Sequence, residues 1–228
     1  MPSEKEIEEE YDPIFFDIGY KYNSFDIKFE KVGNKKSVAY YKDENGDKRT
    51  IFFEAPTQKV NGINYIYSNK IIKGLRISYP INSIETISNP TLEEQYFKKF
   101  IDDIWNAAEN HIKTIEVENN TIPFEIRKLF FDKRSIQPSF QKNNINNQEF
   151  FNTKLITSGK ENKIRVQTQI YENDDDNPIS ALNLINKAGI GLYTPCFKLD
   201  GIYYEIHHNT NYCAHIEYKL AEAFYKLI

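Results

Sequence analysis

From Phe25 the chain alternates, with Phe25, Ile27 and Phe29 on one side and Asp26, Lys28 and Glu30 on the other. A period of two predicts a half-buried strand. Lys36–Lys42 and Arg49–Glu54 flank Asn45-Gly46, the strongest short hairpin signal. A two-residue turn there sets Val38 opposite Phe53 and Tyr40 opposite Ile51. Lys70–Tyr79 reads as a further strand, ended by Pro80. The period then changes. Leu92, Tyr96, Phe97, Phe100, Ile101, Ile104, Ala108 and Ile112 recur at helical spacing, and Thr91 with Glu94 forms a capping box at the start. One face of this helix is therefore buried, and Lys98, Lys99, Asp102, Asp103 and Glu109 lie on the wet side.

Strand patterns return at Phe150–Thr157 and Lys163–Tyr171, joined through Ser158-Gly159. In the second, Ile164, Val166, Thr168 and Ile170 face inward, while Arg165, Gln167, Gln169 and Tyr171 face outward. Pro178 and Gly189 bracket a short predicted helix. A turn at Asp200-Gly201 makes Pro195–Leu199 and Ile202–His208 a hairpin, pairing Leu199 with Ile202, Phe197 with Tyr204 and Pro195 with Ile206. A third strand follows from Tyr212, with Ala214, Ile216, Tyr218 and Leu220 on the apolar face.

These elements predict a mainly β, α+β fold: an antiparallel, OB-like, partly closed barrel with one long and one short helix. A β-sandwich or jelly roll is the alternative. The expected organisation is an acidic arm over 1–13 and a single β-rich domain over 14–228. Within residues 1–12, six carboxylates stand against Lys5, a net -5 that leaves +1 for the rest of a chain of net charge -4. No run approaches the ~18 apolar residues of a membrane span, and no signal-peptide core follows Met1. With only Cys196 and Cys213, a disulfide scaffold is excluded, so an intracellular compartment is expected.

The chemistry-bearing residues are few. Cys196, His207, His208, Cys213 and His215 cluster near the end of the chain. The predicted register places Glu205, His207, Cys213 and His215 on one face, His207 facing Cys213 and Glu205 facing His215. Those side chains are zinc-competent, but their spacing matches no standard module, so no metal is expected. Dinucleotide, P-loop, metalloprotease and nucleophile-elbow motifs are all missing, which points away from an enzyme and from a cofactor.

Binding of single-stranded nucleic acid asks for less: a basic track and aromatic faces on which bases stack. The candidates are Arg165, Gln167 and Tyr171 on one outward row, Lys198, Tyr203 and Lys219 on another, and Lys133, Arg134, Phe140 and Lys142 on an Asn-rich stretch. The excess of Lys over Arg and of Ile over Leu fits an AT-rich coding sequence, as in a large DNA virus, a virus-like element or an AT-rich microbe.

The order of elements carries a resemblance. Strands lead to "GLRISYP" (Gly74–Pro80), then a long helix, then "PSFQ" (Pro138–Gln141), "FNTKLI" (Phe151–Ile156) and a closing "YKLAEA" (Tyr218–Ala223). This resembles the OB-fold single-stranded-DNA-binding proteins of nucleocytoplasmic large (giant) DNA viruses, themselves similar to a podophage type. The resemblance implies a non-catalytic protein that coats single-stranded DNA and contacts replication proteins. The podophage type carries an acidic tail at its C-terminus, whereas here the acidic stretch is N-terminal. No site residue carries over by motif. A structural or interaction protein of a virion is the alternative function, and a homo-oligomer stays open under either.

Overall fold

The computed structural model describes residues 11–17, 23–32, 35–68, 70–118, 139–143, 146–159, 164–173, 175–186, 191–207 and 211–228. In chain order its strands are β1 (Pro13–Phe16), β2 (Ile27–Lys31), β3 (Lys36–Lys42), β4 (Lys48–Glu54), β5 (Gln58–Val60), β6 (Ile63–Ser68) and β7 (Ile71–Pro80). Helix α1 (Leu92–Glu118) follows, then β8 (Phe140–Lys142), β9 (Glu149–Leu155), β10 (Thr157–Ser158), β11 (Arg165–Val166), β12 (Gln169–Glu172) and β13 (Pro178–Ile179). Helix α2 (Ala181–Asn186) leads into β14 (Gly191–His207) and β15 (Asn211–Leu227).

One sheet of 13 strands runs in the order β1-β4-β3-β14-β15-β9-β7-β6 along its main path, and β10 with β11 forms a separate pair. The fold is thus the expected mainly β, α+β class, with one long and one short α-helix among the described residues, and its OB-like sheet is not closed. It is mixed rather than purely antiparallel. The pairs β1–β4, β12–β15 and β15–β9 are parallel. Hairpin reasoning cannot see such pairs, because they join segments far apart in the chain.

Strands β14 and β15 pair along almost their whole length. The other edge of β14 is used three times, by β5 at Gly191–Tyr193, β4 at Cys196–Lys198 and β3 at Gly201–Tyr203. Two β-bulges bend the pair, leaving Ala221 and Asp200 without a partner across the ladder. The second bulge corrects the hairpin expected at Asp200-Gly201. Leu199 pairs with Tyr218, Phe197 with Leu220 and Ile202 with Ile216, all across to β15. Gly201 sits at φ +145, and a Cβ there would run into the Ser37 carbonyl oxygen. The glycine is needed for the close approach of β3, not for a turn.

Other registers shift by smaller amounts. The β3–β4 hairpin pairs Tyr41 with Arg49 and Lys42 with Lys48, one residue from the register expected at Asn45-Gly46. The longer loop is closed by Asp43, whose carboxylate accepts from the Asn45 and Asp47 amides and from Arg49 Nε, with Gly46 at φ +87. Phe25 lies in a 3-10 turn ahead of β2 and is 81% exposed, so the inward row there is Ile27 and Phe29 only. Pro178 stands in β13 rather than in the short helix. Lys163 and Gly189 lie outside the described residues. The stretch up to Tyr171 divides into β11 and β12, yet keeps Thr168 and Ile170 buried and Arg165, Gln167 and Gln169 exposed.

Helix α1 begins as its capping box requires. The Glu94 amide donates to Thr91 Oγ1 (3.2 Å), and the Thr91 amide donates to Glu94 Oε2 (2.8 Å). Glu94 is itself buried and accepts from Gln58 Nε2, Thr86 Oγ1 and the Ser83 amide, which ties the helix start to β5. Phe97, Phe100, Ile101, Ile104, Ala108 and Ile112 bury one helix face. Leu92 and Tyr96, also assigned to that face, are exposed, and the buried residue of the first turn is Glu94. The core is aromatic: Phe53, Phe97, Phe151, Phe197 and Tyr218 lie at ring-centroid distances between 4.5 and 6.3 Å.

Replacing Gly201 with Ala is expected to cost about 3 kcal/mol or more, read from urea unfolding, because backbone strain and a backbone clash coincide. A second expectation concerns His111, which packs 5.7 Å from the Phe29 ring with Nε2 3.1 Å from Ser37 Oγ. Burial lowers its pKa from 6.5 to about 4. The unfolded chain therefore binds this proton first, so stability is full above pH 6.5 and falls between there and about pH 4. In His111→Gln that limb of the stability–pH curve should flatten.

Candidate nucleic-acid interface

The face of the sheet away from the apolar core is set by β14 and β15. Alternation buries Phe197, Leu199, Leu220 and Tyr218 and turns Lys198 and Lys219 to the other side. These two lysines are directly opposite each other. Lys219 is also opposite Lys154 of β9, and Lys154 is opposite Arg76 of β7. Four cations thus form one line across four adjacent strands. In the other direction Lys198 is opposite Phe52 of β4, and Phe52 is opposite Phe15 of β1. With strands ~4.8 Å apart, the cations span about 14 Å and the whole line about 24 Å.

Like charges placed opposite each other destabilise a sheet. Two buried carboxylates offset part of that repulsion. Asp200, only 6% exposed, lies 3.0 Å from Lys219 Nζ and 3.4 Å from Lys36 Nζ, and accepts from the Tyr203 hydroxyl at 2.6 Å. Glu217 pairs with Lys154 and lies 3.9 Å from Lys219 Nζ. Burial pushes the Asp200 carboxyl upward, but Lys219, the Tyr203 hydroxyl and Lys36 outweigh it and hold it below its usual value. Arg76 and Lys198 make no ion pair among the described residues.

A second line runs beside it, two residues along β4 and β14 and three along β15, where Ala221 is bulged, and about 7 Å away. It joins Glu54, Cys196, Glu222 and Gln169 across β4, β14, β15 and β12. Burial raises the Glu54 carboxyl, and the charges of Asp17 and Glu222 raise it further. Burial, then Glu222 and Glu54, push the Cys196 thiol up to about 12, so it stays protonated and unreactive at neutral pH. Two carboxylates, Glu54 and Glu222, thus stand beside the cation line on this face.

The structure brings together Lys198 and Lys219 from the sequence-derived set, with Tyr203 nearby. Tyr203 stacks on His215 (5.9 Å, 19°) beneath Lys36. Tyr171 stacks on Phe224 (5.5 Å, 29°) beyond the acidic line. Arg165 belongs to the separate β10–β11 pair, and Gln167 is exposed beside it. Phe140 is half-buried on the core side, its ring 6.4 Å from Phe151 with Lys98 Nζ 4.3 Å from its centroid. Lys142 is exposed on the same short strand, opposite Glu149 and away from the cation line. Lys133 and Arg134 lie outside the described residues.

Sequence reading missed Arg76, Lys154, Phe15 and Phe52. Alternation marks Arg76 and Lys154 as outward-facing, but only strand order makes them neighbours of Lys219. The last hairpin also shifts: Glu205 is opposite Cys213, Tyr203 opposite His215 and His207 opposite Asn211, two residues from the expected pairing. Among the described residues no group of three or more His, Cys, Asp or Glu side chains is arranged to hold a metal. No helix among them is long and apolar enough to cross a membrane.

No protein-family model matches the chain, and no curated protein matches it. Among solved structures the chain is similar to gp2.5, a single-stranded DNA binding protein encoded by bacteriophage T7. The similarity has 13% identity and a TM-score of 0.42, over 78% of this chain and 87% of that chain. A likeness at that level assigns no role to any residue here.

Asp200→Asn should lower stability at pH 7 by about 1–3 kcal/mol, since Lys36, Lys219 and Tyr203 lose a charged partner. The native carboxyl is held below its usual pKa of 3.8, so its contribution is present above that pH and lost as pH falls through the lower folded value. Paired denaturation curves at pH 7 and pH 3 should show the variant and the parent converging in acid.

Proposed function

We propose that this chain is a non-catalytic single-stranded-DNA-binding protein acting in the replication, recombination or repair of viral DNA, in a large DNA virus. The observation that carries the reading is the line Arg76, Lys154, Lys219, Lys198. Folding alone disfavours cations opposite one another, and a phosphate backbone removes that cost. The acidic line beside it limits where the backbone lies, and Phe15 with Phe52 offers aromatic surface at the end of the track. The AT-biased composition and the order of elements support the viral setting, and contact with replication proteins follows from the same resemblance. A virion structural component needs no continuous basic line, which favours the binding reading over it.

The test is a fluorescence anisotropy titration with oligo-dT at several salt concentrations. Phosphate contacts from Arg76 and Lys198, the two cations of the line outside its ion pairs, predict a slope of log K against log[salt] of about -1.4 for a single strand. Lys198→Ala should make that slope shallower by about 0.7. Bound oligonucleotide should also raise the melting temperature by mass action. Affinity weaker than micromolar at low salt, or affinity insensitive to salt, would sink the reading.

A further inference from the structure

We propose that the stacked pair Phe15–Phe52 is a docking site for one unpaired nucleobase at the end of the cation line, an inference that rests on the binding reading above. The two rings lie 5.1 Å apart at 25°, a stacked pair, and Phe15 is 62% exposed. A large exposed aromatic on a sheet face gains little for folding. Phe16, the next residue, is the one that enters the core, against Tyr41 and Phe100. Phe15 packs only on Phe52 among the aromatic contacts of the described residues, and the core position is filled by its neighbour.

Position points to the ligand. Phe52 is directly opposite Lys198, one strand away, and Phe15 is one strand further. A nucleotide with its phosphate at Lys198 has Phe52 about 5 Å away and Phe15 about 10 Å away across the sheet. The flanking charges narrow the choice. Glu54 stands two residues after Phe52 and Asp17 two residues after Phe15. Asp17 acts electrostatically on Glu54, so the two carboxylates share the border of the aromatic pair. A phosphate is repelled from that border, whereas a neutral flat base is not.

The ligand class is therefore an unpaired base carried by a strand whose backbone crosses the β-strands. Bases inside a duplex have no free face to offer, so the pair also favours single strands over double strands.

The experiment separates stacking from charge. Phe15→Ala should weaken oligo-dT binding about tenfold or more while leaving the salt slope unchanged, because no phosphate contact is lost. Its melting temperature should fall by no more than about 4 °C, since Phe15 is outside the core and loses only its stack on Phe52. Phe15→Trp should restore affinity, and its indole emission should be quenched by oligo-dT, against the single native Trp105 as background. Binding of Phe15→Ala within twofold of the parent, or no quenching in Phe15→Trp, would overturn the stacking site and leave the binding reading standing. A parent protein that binds no single strand would overturn both.

Discussion

The long ladder between β14 and β15 is the constraint on which the rest depends. It is the only contact that links, through one continuous backbone pair among the described residues, the β1–β4 side of the sheet to the β6–β9 side. Three strands in succession use the free edge of β14, so its bulges decide where each of them lies. Asp200 and Gly201 mark the place where this is tightest. The glycine admits β3 at close range, and the extra residue turns a carboxylate into a partly closed site that Lys36 and Lys219 complete.

Stability and binding make different demands on the two faces of the sheet. The core side is filled by interlocking aromatic rings under α1, and the buried Glu94 network fixes where that helix starts. The opposite face carries cations in a line, an arrangement that a fold selected for stability alone has reason to avoid. Asp200 and Glu217 lie within the line and reduce its repulsion without cancelling it, because Arg76 and Lys198 stay outside those pairs. What remains is a line of cations with the carboxylates of Glu54 and Glu222 along one side.

Local pattern was enough for several features. The capping box at Thr91 and Glu94 depends on residues three apart, so it is readable without any tertiary contact, and it stands as expected. The inward row of β15, Ala214, Ile216, Tyr218 and Leu220, follows from alternation alone, and so does the α+β class. Lys198 and Lys219 were also visible as outward residues of their strands.

What alternation cannot express is which strand lies beside which. At Asp200-Gly201 the apolar positions change from 195, 197 and 199 to 202 and 204, and a two-residue turn and a one-residue bulge shift that parity identically. The choice was made by β15 and β3, which bind the two halves of β14 as one strand. The same holds for the candidate site. Arg76, Lys154, Lys198 and Lys219 are separated by as many as 78 residues between the nearest and the next, and nothing local ties them together until β7, β9, β15 and β14 take adjacent places. Sequence by itself determined which side of each strand is wet, because that is set by a period of two. Tertiary structure decided the line of charge and the Phe15–Phe52 pair beside it, because strand order is a property of long-range hydrogen bonding that no local period encodes.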